Sequence, residues 1–194
     1  MRSYVIYGPD SYQSMRWRNG LGHTLQLMKQ NLSESDRFAW RLSIADVTTD
    51  GEFSNFSGYD RTLLLLSGAG ITLQFAKERR VDLNERLDRA EFKGDEPTAA
   101  TLHDGPITDF NVMCARDHCR AAVLTSNTHN AQAIEVHGDV LLLYALGDGL
   151  TIRSPSDGDV PLADQHLLLV TKPIDKTLYC EGAAFIAVQI TYRA

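Results

Sequence analysis

Apolar and polar residues alternate with a period of two in several short runs of this chain. Between residues 40 and 46, Trp40, Leu42 and Ile44 fall on one side while Arg41, Ser43 and Ala45 fall on the other. A period of two is the mark of a strand whose two faces meet different surroundings. Residues 61–66 and 71–75 flank Ser67-Gly-Ala-Gly70, and residues 140–146 and 150–153 flank Gly147-Asp-Gly149. Both read as hairpins whose glycines are free to take positive φ. Further apolar strands are predicted at 109–114, 121–125, 165–171 and 183–192. The charged stretch 77–95 reads as a strand and loops, and the one helix candidate, residues 11–16, is short. Many short strands with regular turns and no alternation of strand and helix predict an all-β fold of jelly-roll-like barrels.

The two hairpins echo each other. Residues 63–73 align without gaps on residues 142–152, an offset of 79, with Gly68 on Gly147, Gly70 on Gly149 and Thr72 on Thr151. Together with the chain length, the echo predicts two tandem barrel halves. Residues 1–115 form the first and 116–194 the second, with strands exchanged between halves within one compact unit.

Composition narrows the function. The chain has 194 residues, 43% hydrophobic and 23% charged, with a net charge of -6. Acidic and basic residues are mixed along it, so no basic stripe supports nucleic-acid binding. No run approaches the roughly 20 apolar residues that span a bilayer as a helix. The first residues, MRSYVIYGPDSYQSMRW, lack the pattern of a signal peptide. Three cysteines, Cys114, Cys119 and Cys180, are an odd count and argue against a disulfide framework. These features together give an expectation of a cytoplasmic protein.

Candidate chemistry is sparse. No two of the six histidines lie at HxH or HxxxH spacing, and Cys114-Ala-Arg-Asp-His-Cys119 has no second paired cluster to complete a zinc site. No metal and no cofactor are expected. A GxSxG elbow is absent, and Gly68-Ala-Gly70 opens a strand, not a helix, so it is no phosphate loop. What remains is polar residues among aromatics. Trp17-Arg18-Asn19-Gly20-Leu-Gly22-His-Thr24 sets a cation and an amide beside glycines; it is either a plain turn or a carboxylate-reading segment. Arg41 shares a face with Ser43, and Asp109, Asn111 and Met113 share another. A barrel-interior Asn111 would need a partner, because an unpaired buried amide costs about 1–3 kcal/mol.

In combination, WRNGLGHT, WRLSIADVTTDGEFSNFSGYDRTLLLLSGAG, FKGDEPTAATLHDGP and DFNVM resemble the HutD/Ves family, whose name comes from bacterial histidine-utilisation operons and a stress-induced relative. The likeness covers most of residues 15–115, continues more weakly to the end of the chain, and implies a bicupin, two small β-barrels in one chain. Metal-binding cupins carry G-x5-H-x-H-x3,4-E-x6-G. With the last glycine on Gly68, the glutamate position falls on Arg61. The histidine positions fall on Ser54 and Phe56, or on Asn55 and Ser57 with the shorter spacing. A guanidinium cannot hold a divalent metal but pairs with a carboxylate through two hydrogen bonds. The second half carries Val140 at the place equivalent to Arg61, which implies a structural barrel.

The resemblance thus implies a small anionic ligand, a carboxylated intermediate such as urocanate or formylglutamate, and a modulating role in histidine utilisation. The residues expected to line the pocket are Arg18, Asn19 and Thr24, then Arg41 and Ser43. Phe53, Ser54, Phe56 and Arg61 follow, with Asp109, Asn111 and Met113. No catalytic residue is assigned. A metal-free enzyme using Asp109 or His23 as acid or base stays open, as does a stress-related protein-interaction module, and a homodimer fits the exposed edges of β-sheets.

Overall fold

A computed structural model of the chain describes residues 4–16, 22–33, 36–76, 79–171, 173 and 175–193. Among them the secondary structure is β-strand apart from short 3-10 turns such as Pro9–Ser11. The expected helix at 11–16 is instead that turn followed by strand β2. Gln13–Arg16 is exposed throughout and pairs as an edge with the next strand.

The chain divides into two compact units: Tyr12–Cys119, and Met1–Ser11 together with Arg120–Ala194. The first unit holds β2 (Gln13–Arg16), β3 (Gly22–Asn31), β4 (Phe38–Val47), β5 (Gly51–Glu52), β6 (Tyr59–Ser67) and β7 (Ile71–Phe75). It continues with β8 (Arg80–Leu83), β9 (Arg89–Lys93), β10 (Thr98–Leu102) and β11 (Ile107–Ala115). These form a six-stranded sheet in the order β2-β3-β4-β11-β6-β9 and a four-stranded sheet in the order β5-β10-β7-β8. The apolar sides of both supply one core cluster, including Leu63, Leu65, Ile71, Leu73, Phe75, Leu83, Phe92 and Ile107.

The second unit holds β1 (Tyr4–Tyr7), β12 (Cys119–Ser126), β13 (Gln132–Glu135), β14 (Val140–Ala145) and β15 (Leu150–Ser154). Its remaining strands are β16 (Gly158–Leu162), β17 (Leu167–Thr171), β18 (Thr177–Glu181) and β19 (Phe185–Tyr192). Its sheets run β1-β17-β14-β19-β12 and β13-β18-β15-β16 around a cluster with Leu141, Leu143, Leu150, Ile152 and Phe185. The first strand therefore belongs to this unit: Tyr4–Tyr7 pairs antiparallel with β17, so residues 4–11 leave the half to which their position in the chain assigned them.

Neither expected hairpin forms: β6 and β7 lie in different sheets, as do β14 and β15, so each glycine turn carries the chain from one sheet to the facing one and does not close a ladder. Gly68 and Gly70 take φ of 103° and 126°, a region open to glycine and strained for other residues. The register of β6 carries one irregularity, because Thr108 of β11 faces Ser67 while Asp109 faces Leu65, leaving Leu66 as an extra residue. One inserted residue reverses which side chains point inward on the strand before it.

Candidate functional site

Three adjacent strands, β4, β11 and β6, build the polar part of the first unit's interior. Their register sets Arg41, Met113 and Arg61 side by side, then Ser43, Asn111 and Leu63, then Ala45, Asp109 and Leu65. Because side chains alternate, these three rows share one face, the one that also presents the core residues Leu63 and Leu65. Arg61 is 8% exposed, Asn111 6% and Asp109 1%.

A hydrogen-bonded chain runs through them. Arg61 Nη2 donates to Asn111 Oδ1 at 2.9 Å, and Asn111 Nδ2 donates in turn to Asp109 Oδ1. The amide is thereby oriented at both ends, with oxygen toward the cation and nitrogen toward the carboxylate. The Arg61 guanidinium lies 5.2 Å from the centre of the Phe53 ring, 5.6 Å from Phe56 and 4.9 Å from Phe92. Arg41 lies 5.2 Å from the same Phe56 ring and 5.1 Å from Phe38, and its Nη2 donates to Met113 Sδ at 3.1 Å. Phe56 is thus a phenyl ring shared by two cations. Among the described residues, Nε of Arg41 and Nε of Arg61 are both buried without a hydrogen-bond partner.

The charges are poorly matched. Burial lowers the Arg61 pKa to about 10, with Asp109 opposing and Arg41 adding to the fall. Burial likewise lowers that of Arg41. Burial pushes the Asp109 carboxyl up to about 7, against the pull of Arg61 and of the Asn111 hydrogen bond, while Asp46 adds a small push upward. The site thus holds two guanidinium groups and one carboxyl that is itself near half-protonation at neutral pH.

Most expected residues gather here: Arg41, Ser43, Phe53, Phe56, Arg61, Asp109, Asn111 and Met113. Thr24 stands opposite Ala45 across the β3–β4 pairing, on the same face and half-buried. Arg18 and Asn19 lie outside the described residues. Ser54 departs from expectation, since it is exposed in the loop between Phe53 and Phe56 while the two phenyl rings turn toward Arg61. Counting back along the cupin pattern located this loop but could not tell which of its side chains face inward.

The equivalence of Val140 with Arg61 also fails, and the bulge at Leu66 is the reason. The inward residues of β14 are Leu141, Leu143 and Ala145, whereas Val140, also buried, is no part of that cluster. Past the extra residue in β6, Leu141 is the facing counterpart of Arg61, at an offset of 80. The second barrel still shows an apolar side chain at this place. His23, the other acid–base candidate, is exposed and pairs with Asp46 at 3.1 Å, one residue out of phase with the row that holds Thr24, Ala45 and Asp109.

Four residues near the site were not anticipated. Phe38 reaches the inner face through a second bulge, where Asn31 pairs with Phe38 but Gln30 pairs with Trp40. Tyr59 packs on Phe38 with ring centres 4.4 Å apart and donates its hydroxyl to the Phe38 carbonyl. Phe92 comes from β9, whose strict alternation of buried and exposed residues stood within the charged stretch 77–95. Gln26, 8% exposed, faces Ser43 and bonds Gln13 on the edge strand. Phe92 was legible from the alternation of its strand, whereas the bulge at Ala39 hid the phase of Phe38.

No group of three or more His, Cys, Asp or Glu side chains that could hold a metal ion occurs among the described residues. Cys114 and Cys119 are buried, and the Cys119 thiol donates to the Ala39 carbonyl. A hydroxyl, an imidazole and a carboxylate do meet on the four-stranded sheet, where Thr72 Oγ1 lies 2.6 Å from Asp82 and 2.9 Å from His103. Their order is wrong for nucleophile activation, because the acid takes the hydroxyl hydrogen bond directly and does not orient the imidazole. No helix among the described residues is long and apolar enough to cross a membrane.

Fold and site together define an all-β protein of two compact units, the first with a polar interior built from guanidinium groups, an amide and a carboxyl. The chain belongs to the HutD family, whose model matches residues 9–188. It is 36% identical over 121 residues to a 21.2 kDa protein from the hutC 3′ region of Pseudomonas putida, covering 62% of this chain and 63% of that one. It is 32% identical over 169 residues to protein Ves of Citrobacter koseri, covering 85% and 86%. Among solved structures, HutD from Pseudomonas fluorescens SBW25 superposes with a TM-score of 0.85 at 26% identity, covering 98% of this chain and all of that one.

Proposed function

We propose that the protein binds a small carboxylated molecule inside the barrel of residues 12–119 and serves histidine utilisation by sensing it. The observation that carries this reading is the unmatched pair of guanidinium groups, Arg41 and Arg61. Each has a buried Nε without a partner among the described residues, and each is lowered in pKa by burial. A buried cation persists when something of opposite charge repays its desolvation, and the fork of a guanidinium matches a carboxylate. The aromatic rings of Phe53, Phe56 and Phe92 suit a ligand with a flat or apolar body.

Membership of the HutD family and the likeness to a protein from a hutC region support the histidine link. Urocanate and formylglutamate are the intermediates whose chemistry fits, and the role is modulation of pathway output without turnover. Calorimetric titration of both compounds tests the reading. Binding is expected in the wild type, with a loss of at least about thirtyfold in Arg61→Met, the effect of removing one partner of a desolvated charge pair. Absence of binding by either compound at millimolar concentration refutes it.

A further inference from the structure

Asp109 has no counterpart in a simple anion site, since a buried carboxyl close to the cations should repel the ligand. Its placement explains it. The carboxyl sits at the inner end of the Arg61–Asn111–Asp109 chain, 1% exposed, and its hydrogen bond from Asn111 Nδ2 is what turns the amide oxygen toward Arg61 Nη2. Among the described residues it is the carboxyl whose charge acts on the Arg61 guanidinium.

We infer that Asp109 is the resident counter-ion of the site, that it positions Arg61 through Asn111, and that an incoming carboxylate replaces it electrostatically, so that the anion binds together with one proton. The inference rests on the anion-binding reading and adds its regulation: a ligand carried in with a proton is held more tightly in acid. The balance is simple, because the ligand carboxylate becomes the acceptor for Arg61, a proton from solvent joins a carboxyl oxygen of Asp109, and no bond in the ligand changes. A ligand carboxylate and Asp109 would compete for the same Arg61 guanidinium, while Arg41 lies one row away against Met113 and two phenyl rings, so the more deeply buried carboxyl takes the proton.

The groups around Asp109 agree. Arg61 on β6 and Arg41 on β4 are the cations on its face. Asp46, also on β4, lies out of phase and is paired with His23 of β3. The opposite sheet turns Ile71, Leu73, Phe75, Leu83 and Ala100 inward, none of which titrates. The carboxyl, already raised to about 7 by burial, has little further to go.

Formate, the barest carboxylate and ionised throughout the range used, is the probe, titrated by NMR at several pH values from about 6 to 9. The expected wild-type affinity is flat near pH 6 and weakens by up to about tenfold per unit above pH 7. Asp109→Asn should flatten that profile. If the variant does not fold, the side-chain carboxyl signal of Asp109 in the wild type gives the same answer, since saturating formate should raise its titration midpoint by at least about one unit. Formate that binds with a flat wild-type profile, or an unmoved Asp109 midpoint, overturns the proton coupling and leaves anion binding intact. No formate binding at any pH overturns both.

Discussion

Replacing Arg61 by methionine separates a ligand-binding cation from a structural one. Methionine fills a similar volume without charge, so the outcome for the ligand-free protein is a balance of named contributions. Burial brings the Arg61 pKa from 12.5 to about 10, which corresponds to about 3 kcal/mol of cost in holding the cation, and the substitution removes it. Against this, Asn111 Oδ1 loses its donor, worth about 1–3 kcal/mol for a buried acceptor. The contacts over Phe53, Phe56 and Phe92 are lost as well, at about 1.5–2 kcal/mol in sum. Asp109 adds a few tenths of a kcal/mol. With a pKa of about 7 it is already half-protonated at neutral pH, and losing Arg61 only completes the protonation. The contributions nearly cancel, so Arg61→Met should lie within about 2 kcal/mol of the wild type in urea unfolding at pH 7, while carboxylate affinity falls at least about thirtyfold. A variant destabilised by more than about 4 kcal/mol whose affinity is unchanged would refute the reasoning, because that is the pattern of a broken structural ion pair.

Asp109→Asn should gain stability relative to the wild type as pH rises from about 4 to 7, by up to about 4 kcal/mol, in unfolding measured across that range. The sign follows from a folded pKa above the unfolded value: the folded state holds a proton that the unfolded chain has released, so wild-type stability falls through this window, and a parallel pair of curves counts against it. Phe92→Ala removes a ring that packs on Phe75 at 5.1 Å and on Arg61, and should cost about 3–5 kcal/mol in thermal or urea unfolding. A cost below about 1 kcal/mol would mean that Phe92 is not a wall of the core. Gly68→Ala at φ 103° places a Cβ 2.6 Å from Ile107 Cγ2 and should destabilise by more than about 1 kcal/mol; a neutral result contradicts the turn geometry.

How much of this was legible in the sequence depends on where the period of two survives. It survives in β11, so Asp109, Asn111 and Met113 were placed on one face correctly, and in β4 from Arg41 to Ala45. It breaks at Leu66 and again near Ala39, where a single extra residue reverses the inward set, and no local signal marks either bulge. Hence Phe38 was missed and Val140 was matched to Arg61 when Leu141 is its counterpart. The loop of residues 53–58 shows a second limit. Spacing alone could bring it to the site, but Ser54 and Phe56 exchange roles according to backbone turns, with Phe56 N–H held by the Gly94 carbonyl at 2.8 Å.

The two barrels show what a cationic interior requires. In the second unit the inner face of β14 is Leu141, Leu143 and Ala145, and among the described residues of that unit Ser126 is the one buried polar side chain and no charged side chain is buried. In the first unit the matching strand puts Arg61 below Leu63 and Leu65, and the amide it bonds, Asn111, is held in turn by Asp109. Leucine at that place would remove about 3 kcal/mol of desolvation cost together with the need for Asn111 and Asp109. A core optimised for stability alone would resemble the second barrel. The arginine, the amide that orients it and the carboxyl that balances it form one device whose cost is borne by a single barrel, and binding an anion is the task that would give all three a reason to be there together.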